Sequence, residues 1–180
     1  AIVGEGEDAI LELLDVWDYP AGDSDGQDID SLIAAAERRF TRVMQSRSAA
    51  GLLFRLREAL GRWFSWDGAV NELPVPGSTD TSLRLRLTAA ESRTQRWSDG
   101  SAAILGDTAM GGFAEVYRAP SEALFEISNA TVHALLHFGV TADGPKLAVY
   151  VCPRGLVGRA YMALIEPFRH YVVYPALLAA

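Results

Sequence analysis

The hydrophobic pattern of the chain changes its period twice, and this change limits the folds that it can adopt. Before about residue 65 and after about residue 155, apolar residues recur every three to four positions, as they do on one face of an α-helix. Between these regions they largely alternate with polar residues, as in half-buried β-strands. Two helical regions around a run of strands predict an α+β protein in which helices cover an antiparallel sheet.

The predicted elements follow one another with short connections. A strand is expected over 13–19, then a helix that is capped by Asp28 or Asp30 and ends near Gln45, then a second helix over about 49–64. A long last helix is predicted from about Gly155 to Leu178, with a kink at Pro167 because proline lacks the N–H donor. Further strands are predicted near 82–88, 92–97, 101–106, 112–118, 122–128, 130–140 and 146–152.

Length and charge narrow the class of protein. The 180 residues suit one domain, so we expect a single domain over 1–180. The formal net charge of −7 argues against partners that are nucleic acids or anionic membranes. No apolar run reaches the roughly 18 residues expected of a membrane-spanning helix, and no signal peptide is recognisable. The lone Cys152 cannot form an internal disulfide, so we expect a cytoplasmic protein.

Two histidines are expected on the same side of one strand. His133 and His137 are four residues apart, and alternate residues of a strand point the same way. If Asp143-Gly144 is the centre of a hairpin, Tyr150 lies across from His137. Should this side face the last helix, His137, Tyr150 and His133 could transfer a proton to or from an enolisable substrate. Should the opposite, apolar side face the helix, the histidines would lie at the surface or at a rim.

A curved sheet that wraps a helix leaves a cavity, and such cavities hold apolar ligands with a few polar anchors. Arg159 and Tyr161, near the start of the last helix, could anchor a carboxylate or carbonyl group. Alternatively, Tyr161 is a core residue and Arg159 pairs with a nearby carboxylate. The apolar residues expected to contact the ligand are Leu136, Phe138, Ile165, Phe168 and Trp63.

No metal and no cofactor are expected. A zinc site at His133 and His137 would need a third ligand, and Cys152 is the only thiol of the chain. The sequence has no phosphate-cradling glycine loop and no recognisable catalytic triad. Glu115 or Glu126 could act as a general acid if one of them lay in an apolar cavity, where burial raises the pKa of a carboxyl group.

The last helix resembles the C-terminal signature of a bacterial family, domain of unknown function 2867. Members of that family show Gly-Arg-x-Tyr and then Pro-Phe-His, and this chain has Gly158-Arg159-x-Tyr161 and Pro167-Phe168. Arg169 replaces the family's histidine, and His170 stands one place later, about 100° further around a helix. Weaker similarity is carried by Asp18-Tyr19, by residues 54–60 and by the strand that follows His133.

The resemblance implies a START-like, pollen-allergen-like helix-grip fold. In such a fold a curved antiparallel sheet of about seven strands wraps around a long C-terminal helix, with two shorter helices after the first strand. The wider superfamily includes polyketide cyclases, lipid carriers and hormone receptors, but a fold does not by itself give a function.

The first functional hypothesis is a cofactor-independent cyclase or isomerase of bacterial secondary metabolism that acts on a polyketide-like substrate. The alternative is a non-catalytic carrier or sensor of a hydrophobic ligand. Because related domains often follow a nucleotide-binding reductase, a third idea is a partner subunit of a separate reductase. A homodimer is left open.

Overall fold

In the part of the chain that the structure describes, five antiparallel strands form one open, curved sheet. The structure is a computed structural model that describes residues 11–19, 28–45, 72–87 and 112–175, and the backbone alone for Met44, Phe168 and Val173. In chain order the strands are β1 (Glu12–Asp18), β2 (Ala114–Arg118), β3 (Glu122–Ser128), β4 (Val132–Thr141) and β5 (Gly144–Pro153). The spatial order β1-β5-β4-β3-β2 places the first strand beside the last.

Helix α1 (Ile29–Gln45) begins where the sequence predicts it. The Asp28 carboxylate accepts hydrogen bonds from the Ser31 N–H and hydroxyl at 2.9 and 2.8 Å, which satisfies donors in the first turn. The apolar face predicted for this helix packs against the sheet. Its members are Ile29, Leu32, Ile33 and Ala36, which are buried, and Phe40, which is half-buried.

Helix α2 (Gly155–Phe168) contains Pro167 and passes directly into a π-helical turn, Arg169–Val173. Proline cannot donate its backbone hydrogen bond, and wider helical turns are common where the regular bonding ladder is interrupted. A π-helical turn therefore follows this proline, and the kink expected at Pro167 stays a prediction. None of the described helices is long and apolar enough to cross a membrane.

The sheet has two faces of different character. The helix-side face, which packs against α1 and against Tyr161 and Met162 of α2, is apolar. From the two central strands it takes Ala134, Leu136, Phe138, Leu147, Val149 and Val151. The outer face points away from the helices and takes His133, Leu135, His137, Ala148, Tyr150 and Cys152. Of the two arrangements that the sequence left open, the structure has the one in which the apolar side faces the helices.

Segment 72–87, which we call the strap, covers part of the outer face. Its Val75 and Leu83 are buried against Val116 of β2 and Leu135 of β4. These contacts make a second, smaller apolar cluster on the face opposite the helices. Glu126, His133 and Leu135 of the outer face are therefore buried on this side.

The strand predicted over 82–88 is wrong, because this stretch forms a 3₁₀ turn, Leu83–Arg86. The Ser82 hydroxyl accepts the Arg84 N–H at 3.0 Å and caps the turn. Leu83 is buried whereas Leu85 is 67% exposed, so the alternating leucines do not form one packed face. Apolar and polar residues do alternate in this stretch, but the alternation did not determine the backbone conformation.

The register of the β4–β5 hairpin also differs from the prediction. Thr141 pairs with Gly144 and closes a two-residue turn, so His137 pairs with Ala148 rather than with Tyr150. Tyr150 instead pairs with Leu135. The error is two residues, and an even shift leaves every side chain on its predicted face.

The remaining predicted strands agree with the structure within a few residues. Those predicted over 13–19, 112–118, 122–128, 130–140 and 146–152 correspond to β1 to β5 in chain order. The predicted helix over 49–64 and the predicted strands over 92–97 and 101–106 lie outside the described residues. The count of about seven strands and the second short helix therefore stay predictions.

Candidate functional site

The residues predicted to be catalytic and those predicted to bind the ligand lie on opposite faces of the sheet. His133, His137 and Tyr150 project from the outer face, whereas Leu136 and Phe138 project from the helix-side face. A single cavity between the sheet and α2 therefore does not bring the two sets together. The roles assigned to these residues stay predictions, and the structure separates them into different environments.

On the helix-side face, only some of the predicted ligand-binding residues lie close together. Leu136, Phe138 and Tyr161 belong to one apolar cluster. On α2, Ile165 is half-buried and Arg159 is exposed. Trp63 and the side chain of Phe168 lie outside the described residues.

Glu126 and His133 form a buried polar pair on the outer face, beneath the strap. The Glu126 carboxylate accepts the Ser82 hydroxyl and the Leu83 N–H, the latter at 3.1 Å. His133 Nε2 lies 3.6 Å from Glu126 Oε2, which is too long for a hydrogen bond. Within the described chain neither ring nitrogen of His133 has a hydrogen-bond partner, although both are buried.

The environment favours the neutral form of both members of this pair. Burial lowers the pKa of His133 to about 4, with smaller contributions from Arg154 and Arg86. Burial also raises the pKa of Glu126, opposed by the hydrogen bonds from Ser82 and Leu83. His133 is therefore a buried neutral imidazole rather than the surface or rim residue of the second alternative.

Arg154 fastens the other end of the strap. Its guanidinium donates to the Pro74 carbonyl at 2.6 Å and to the Ser128 hydroxyl at 2.7 Å. The Ser128 hydroxyl in turn donates to the Leu73 carbonyl at 3.2 Å. The polar groups beneath the strap therefore hold a loop in place, and they offer little access to a substrate.

A second polar group of the outer face is more accessible. His137 Nε2 lies 2.9 Å from Glu122 Oε2 and 3.5 Å from the Tyr117 hydroxyl. The His137 side chain is 29% exposed and that of Glu122 is 45% exposed. These residues join strands β2, β3 and β4, with His137 in the central strand.

The polar residues nearest to α2 form a third group, which we call the Asp15 cluster. It consists of Asp15 and Trp17 from β1 and of Arg169, His170 and Tyr174 from the end of the C-terminal helix. The Tyr174 hydroxyl donates to Asp15 Oδ2 at 2.7 Å, and the Tyr174 and Trp17 ring centroids are 4.9 Å apart. Arg169 Nε lies 3.6 Å from Asp15 Oδ2, and His170 Nε2 lies 4.0 Å from Asp15 Oδ1.

The Asp15 cluster lies on the helix-side face. Asp15 and Trp17 pair with Val149 and Leu147 of β5, which belong to the apolar cluster of that face. The Asp15 side chain is only 11% exposed. The cluster therefore places a carboxylate at the edge of the apolar layer between the sheet and the end of the C-terminal helix.

Two buried N–H donors of the Asp15 cluster make no hydrogen bond within the part of the chain that the structure describes. They are Trp17 Nε1 and Arg169 Nε. A buried donor without an acceptor costs about 1–3 kcal/mol, so such groups are uncommon in folded proteins. Burial, and the hydrogen bond to Asp15, raise the pKa of Tyr174, which keeps its hydroxyl protonated.

Sequence analysis missed the Asp15 cluster. Asp15 and Trp17 are two apart in the first strand and so share a face, which is the only local signal. Arg169 and His170 were considered as departures from a family signature and as helix-surface partners of Glu166, with His170 alternatively pointing into the cavity, and Tyr174 was not considered. Asp15 and Tyr174 are 159 positions apart in the sequence, so a local pattern could not predict their contact.

Metal ligation has no candidate in the described part of the chain. No group of three or more His, Cys, Asp or Glu side chains is arranged there to hold a metal ion. Cys152 is buried, and burial raises the pKa of its thiol. A raised pKa lowers the fraction of reactive thiolate at neutral pH.

Comparison with known proteins identifies a family without a described activity. A family model described as "Protein of unknown function (DUF2867)" matches residues 10–176. The match covers most of the chain, so the protein belongs to this family. Neither the curated proteins nor the solved structures contain a significant match.

Proposed function

We propose that this member of the DUF2867 family binds an apolar small molecule between the helix-side face and α2, and converts it by acid–base chemistry as a cofactor-independent cyclase or isomerase. The observation that carries the proposal is a carboxylate, Asp15, at the edge of an apolar layer and beside two buried N–H donors that make no hydrogen bond to any described residue. A base next to hydrogen-bond donors suits the formation of an enolate, because the donors stabilise the oxygen on which negative charge develops.

The proposed step assigns one role to each group of the Asp15 cluster. The Asp15 carboxylate removes a proton from a carbon next to a carbonyl, and the electron pair moves onto the carbonyl oxygen. Trp17 Nε1 and Arg169 Nε donate to this oxygen. In an isomerase the protonated Asp15 returns the proton to a different carbon. In a cyclase the enolate carbon attacks a second carbonyl, the π electrons of that carbonyl move onto its oxygen, and the protonated Asp15 returns the proton to this oxygen. Tyr174 holds the Asp15 carboxylate by its hydrogen bond of 2.7 Å.

The apolar part of the ligand would lie against the helix-side face. Helix α2 contacts the apolar cluster of this face through Tyr161 and Met162. Two of its other large apolar residues, Leu156 and Leu164, are exposed, so the helix rests on the sheet along one edge only. We propose that Leu136 and Phe138 form the floor of the site and that Tyr161 borders it, as the sequence predicts.

We also propose that the described strands and α2 belong to a helix-grip fold. In support, the first strand lies beside the last, a helix follows the first strand, and the C-terminal helix packs on the apolar face of the sheet. The polyketide-like substrate comes from the same resemblance and belongs to the proposal.

A non-catalytic carrier or sensor is the second candidate. The observation that favours it is the hydrogen bond from Tyr174 to Asp15, because a carboxylate that already accepts a hydrogen bond is a weaker base. In a carrier the same donors would bind a ligand carbonyl, and the ligand would leave unchanged.

Native mass spectrometry of freshly purified protein, followed by extraction and identification of bound molecules, tests the binding site. We expect a stoichiometric apolar molecule that carries a carbonyl group. Tyr174→Phe and Asp15→Asn should reduce its occupancy. Two matched controls, Tyr171→Phe at an exposed position and Asp143→Asn in the β4–β5 turn, should not. Equal occupancy in all four variants would contradict the assignment of the Asp15 cluster.

Exchange of the α-protons of 2-tetralone in deuterated buffer, followed by NMR, separates the enzyme from the carrier. This ketone is apolar and enolisable, and its exchange needs only a base and a stabilised enolate. The enzyme predicts exchange faster than in buffer, with a loss of about 100-fold in Asp15→Asn and none in Asp143→Asn. Binding of the ketone without faster exchange would favour the carrier.

A further inference from the structure

We propose that the outer face carries a second, independent site, in which Nδ1 of His137 removes a proton from small planar apolar molecules that have an acidic C–H bond. The site lies on the side of the sheet opposite to the Asp15 cluster. It therefore depends neither on the helix-side ligand nor on α2.

The position of the Glu122 carboxylate determines which nitrogen of His137 acts as a base. Nε2 lies 2.9 Å from Glu122 Oε2, and a carboxylate can only accept, so the neutral imidazole carries its proton on Nε2. Nδ1 then has the free lone pair. Within the described chain no hydrogen bond reaches Nδ1, and the side chain is 29% exposed. A carboxylate that fixes the tautomer of an accessible imidazole is a recurrent arrangement for a general base.

Small residues leave open space beside the imidazole. Val16, Ala148 and His137 are direct neighbours across three strands. Neighbouring strands are about 4.8 Å apart, so Val16 and His137 are separated by roughly 10 Å with only a methyl group between them. Val16 is 56% exposed. Gly139, two residues after His137 on the same face, has no side chain, and a Cβ built there meets no atom within 4 Å.

We call this open space the His137 recess. Ala148 and Gly139 form its floor, with Val16 on one side and His137 on the other. A planar apolar molecule suits it, because such a molecule can lie flat against the small residues of the floor.

Tyr117 supplies a proton donor next to the base. Its hydroxyl lies 3.5 Å from His137 Nε2. Burial, together with the Glu122 carboxylate, raises the pKa of Tyr117 to about 12, so the phenol stays protonated at neutral pH. It can donate to Glu122 and help to hold the carboxylate that positions His137. Tyr117 and Glu122 are therefore positioning residues, and His137 alone touches the reacting proton.

The probe that tests the site is 5-nitrobenzisoxazole, a planar apolar molecule with one acidic C–H bond. His137 Nδ1 takes the C3 proton, and the C–H electron pair completes the carbon–nitrogen triple bond of a nitrile. The ring N–O bond breaks, and its electron pair stays on oxygen as a coloured phenolate. The step needs no oxidant, reductant or cofactor, and the imidazolium then returns its proton to the buffer.

We expect a saturable rate above that of buffer with imidazole at the same concentration. His137→Gln should lower the rate about 100-fold, the usual contribution of a general base. Gly139→Val should lower it similarly by filling the recess, since a valine suits a strand and meets open space there. Asp143→Asn, in the hairpin turn outside the recess, is the matched control and should leave the rate unchanged.

Two results would overturn the proposal. One is an unchanged rate in His137→Gln, with folding verified by circular dichroism and by the urea midpoint. The other is a rate that is lost in Asp15→Asn but kept in His137→Gln, which would assign the elimination to the helix-side site.

The positioning role of Glu122 has its own readout. Nitrogen-15 chemical shifts of the imidazole report which ring nitrogen carries the proton, independently of activity. In the native protein His137 should be protonated on Nε2, and in Glu122→Gln the two tautomers should mix while the rate falls. An unchanged tautomer with an unchanged rate would show that Glu122 is only a surface neighbour.

Discussion

His133 Nε2 lies 3.6 Å from Glu126 Oε2, and the strap covers both side chains so completely that the histidine has no exposed surface. The distance is too long for a hydrogen bond, and both groups are pushed towards their neutral forms by burial. The stability of the centre of the outer face is therefore sensitive to pH. Predictions about stability follow from this pair and from other close contacts.

Acid should destabilise the protein through His133. The ordinary pKa of 6.5 applies to the unfolded chain, whereas burial, with Arg154 and Arg86 nearby, lowers the pKa in the folded chain to about 4. The unfolded chain therefore binds this proton first, and stability falls as the pH decreases from about 6.5 to about 4. The full effect amounts to about 3 kcal/mol in the free energy of unfolding. Urea denaturation at a series of pH values measures it.

His133→Leu should flatten this part of the pH profile, because leucine has no proton to bind. His170→Gln, at a half-exposed histidine, is the matched control and should retain the slope. Glu126 acts in the opposite direction, since a raised pKa makes the folded chain bind its proton more tightly than the unfolded chain. Protonation of Glu126 therefore reduces the loss of stability at low pH. A profile that is identical in His133→Leu and in the native protein would refute the prediction.

Glu126→Ala should release the strap. The substitution removes the acceptor of the Leu83 N–H and of the Ser82 hydroxyl, and we expect a loss of about 1–3 kcal/mol in the free energy of unfolding. Cleavage by trypsin after Arg84 or Arg86 reports local opening of the strap. In Glu126→Ala this cleavage should be faster than global unfolding of the protein. Glu166→Ala, at an exposed position of α2, is the control. Equal cleavage rates in the two variants would contradict the role of Glu126.

Gly158→Ala should be strongly destabilising. A Cβ at this position would clash with the Thr131 carbonyl oxygen, because α2 crosses the turn between β3 and β4 at very short distance. To relieve this clash, the backbone of either the helix or the turn would have to move. Gly139→Ala is the matched control, since its Cβ meets no atom within 4 Å. Thermal unfolding of both variants tests the difference, and similar melting temperatures would show that α2 can shift freely.

Alkaline pH should destabilise the protein through Tyr174. Its pKa is raised in the folded chain, chiefly by burial, so the unfolded chain loses the phenolic proton first. Stability therefore decreases as the pH rises above the ordinary value of 10. Tyr174→Phe should lose about 1 kcal/mol at neutral pH, because it removes the bond to Asp15, but should show a weaker alkaline decline. Tyr171→Phe, at an exposed tyrosine, should behave like the native protein.

Local patterns determined the elements that bury a regular apolar face. The spacing of Ile29, Leu32 and Ala36 predicted α1, and the structure buries these residues against the sheet. The sequence also predicted β3, β4 and β5, and in the β4–β5 hairpin it divided the side chains correctly between two faces. These predictions succeeded because burial of one face is decided residue by residue along the element.

The same alternation failed in the strap. Leu83, Leu85 and Leu87 have the spacing of a strand, but the Ser82 cap and the Glu126 carboxylate bind the N–H groups that strand pairing would need. Register failed for a related reason, because a hairpin that closes at Thr141 and Gly144 differs by two residues from one centred on Asp143-Gly144, with no change in the faces. Neither choice alters the apolar pattern, so the pattern could not select between them.

The sequence by itself thus determined the α+β class, the order of the described elements and the two-sided character of the sheet. Only the tertiary structure decided which face the helices cover, that His133 is buried beneath a strap, and that Asp15 meets Tyr174 across a sequence separation of 159 residues. Periodicity records whether a side chain is buried. It does not record what buries it, because that depends on the pairing of β1 with β5 and on the path of the chain between distant elements.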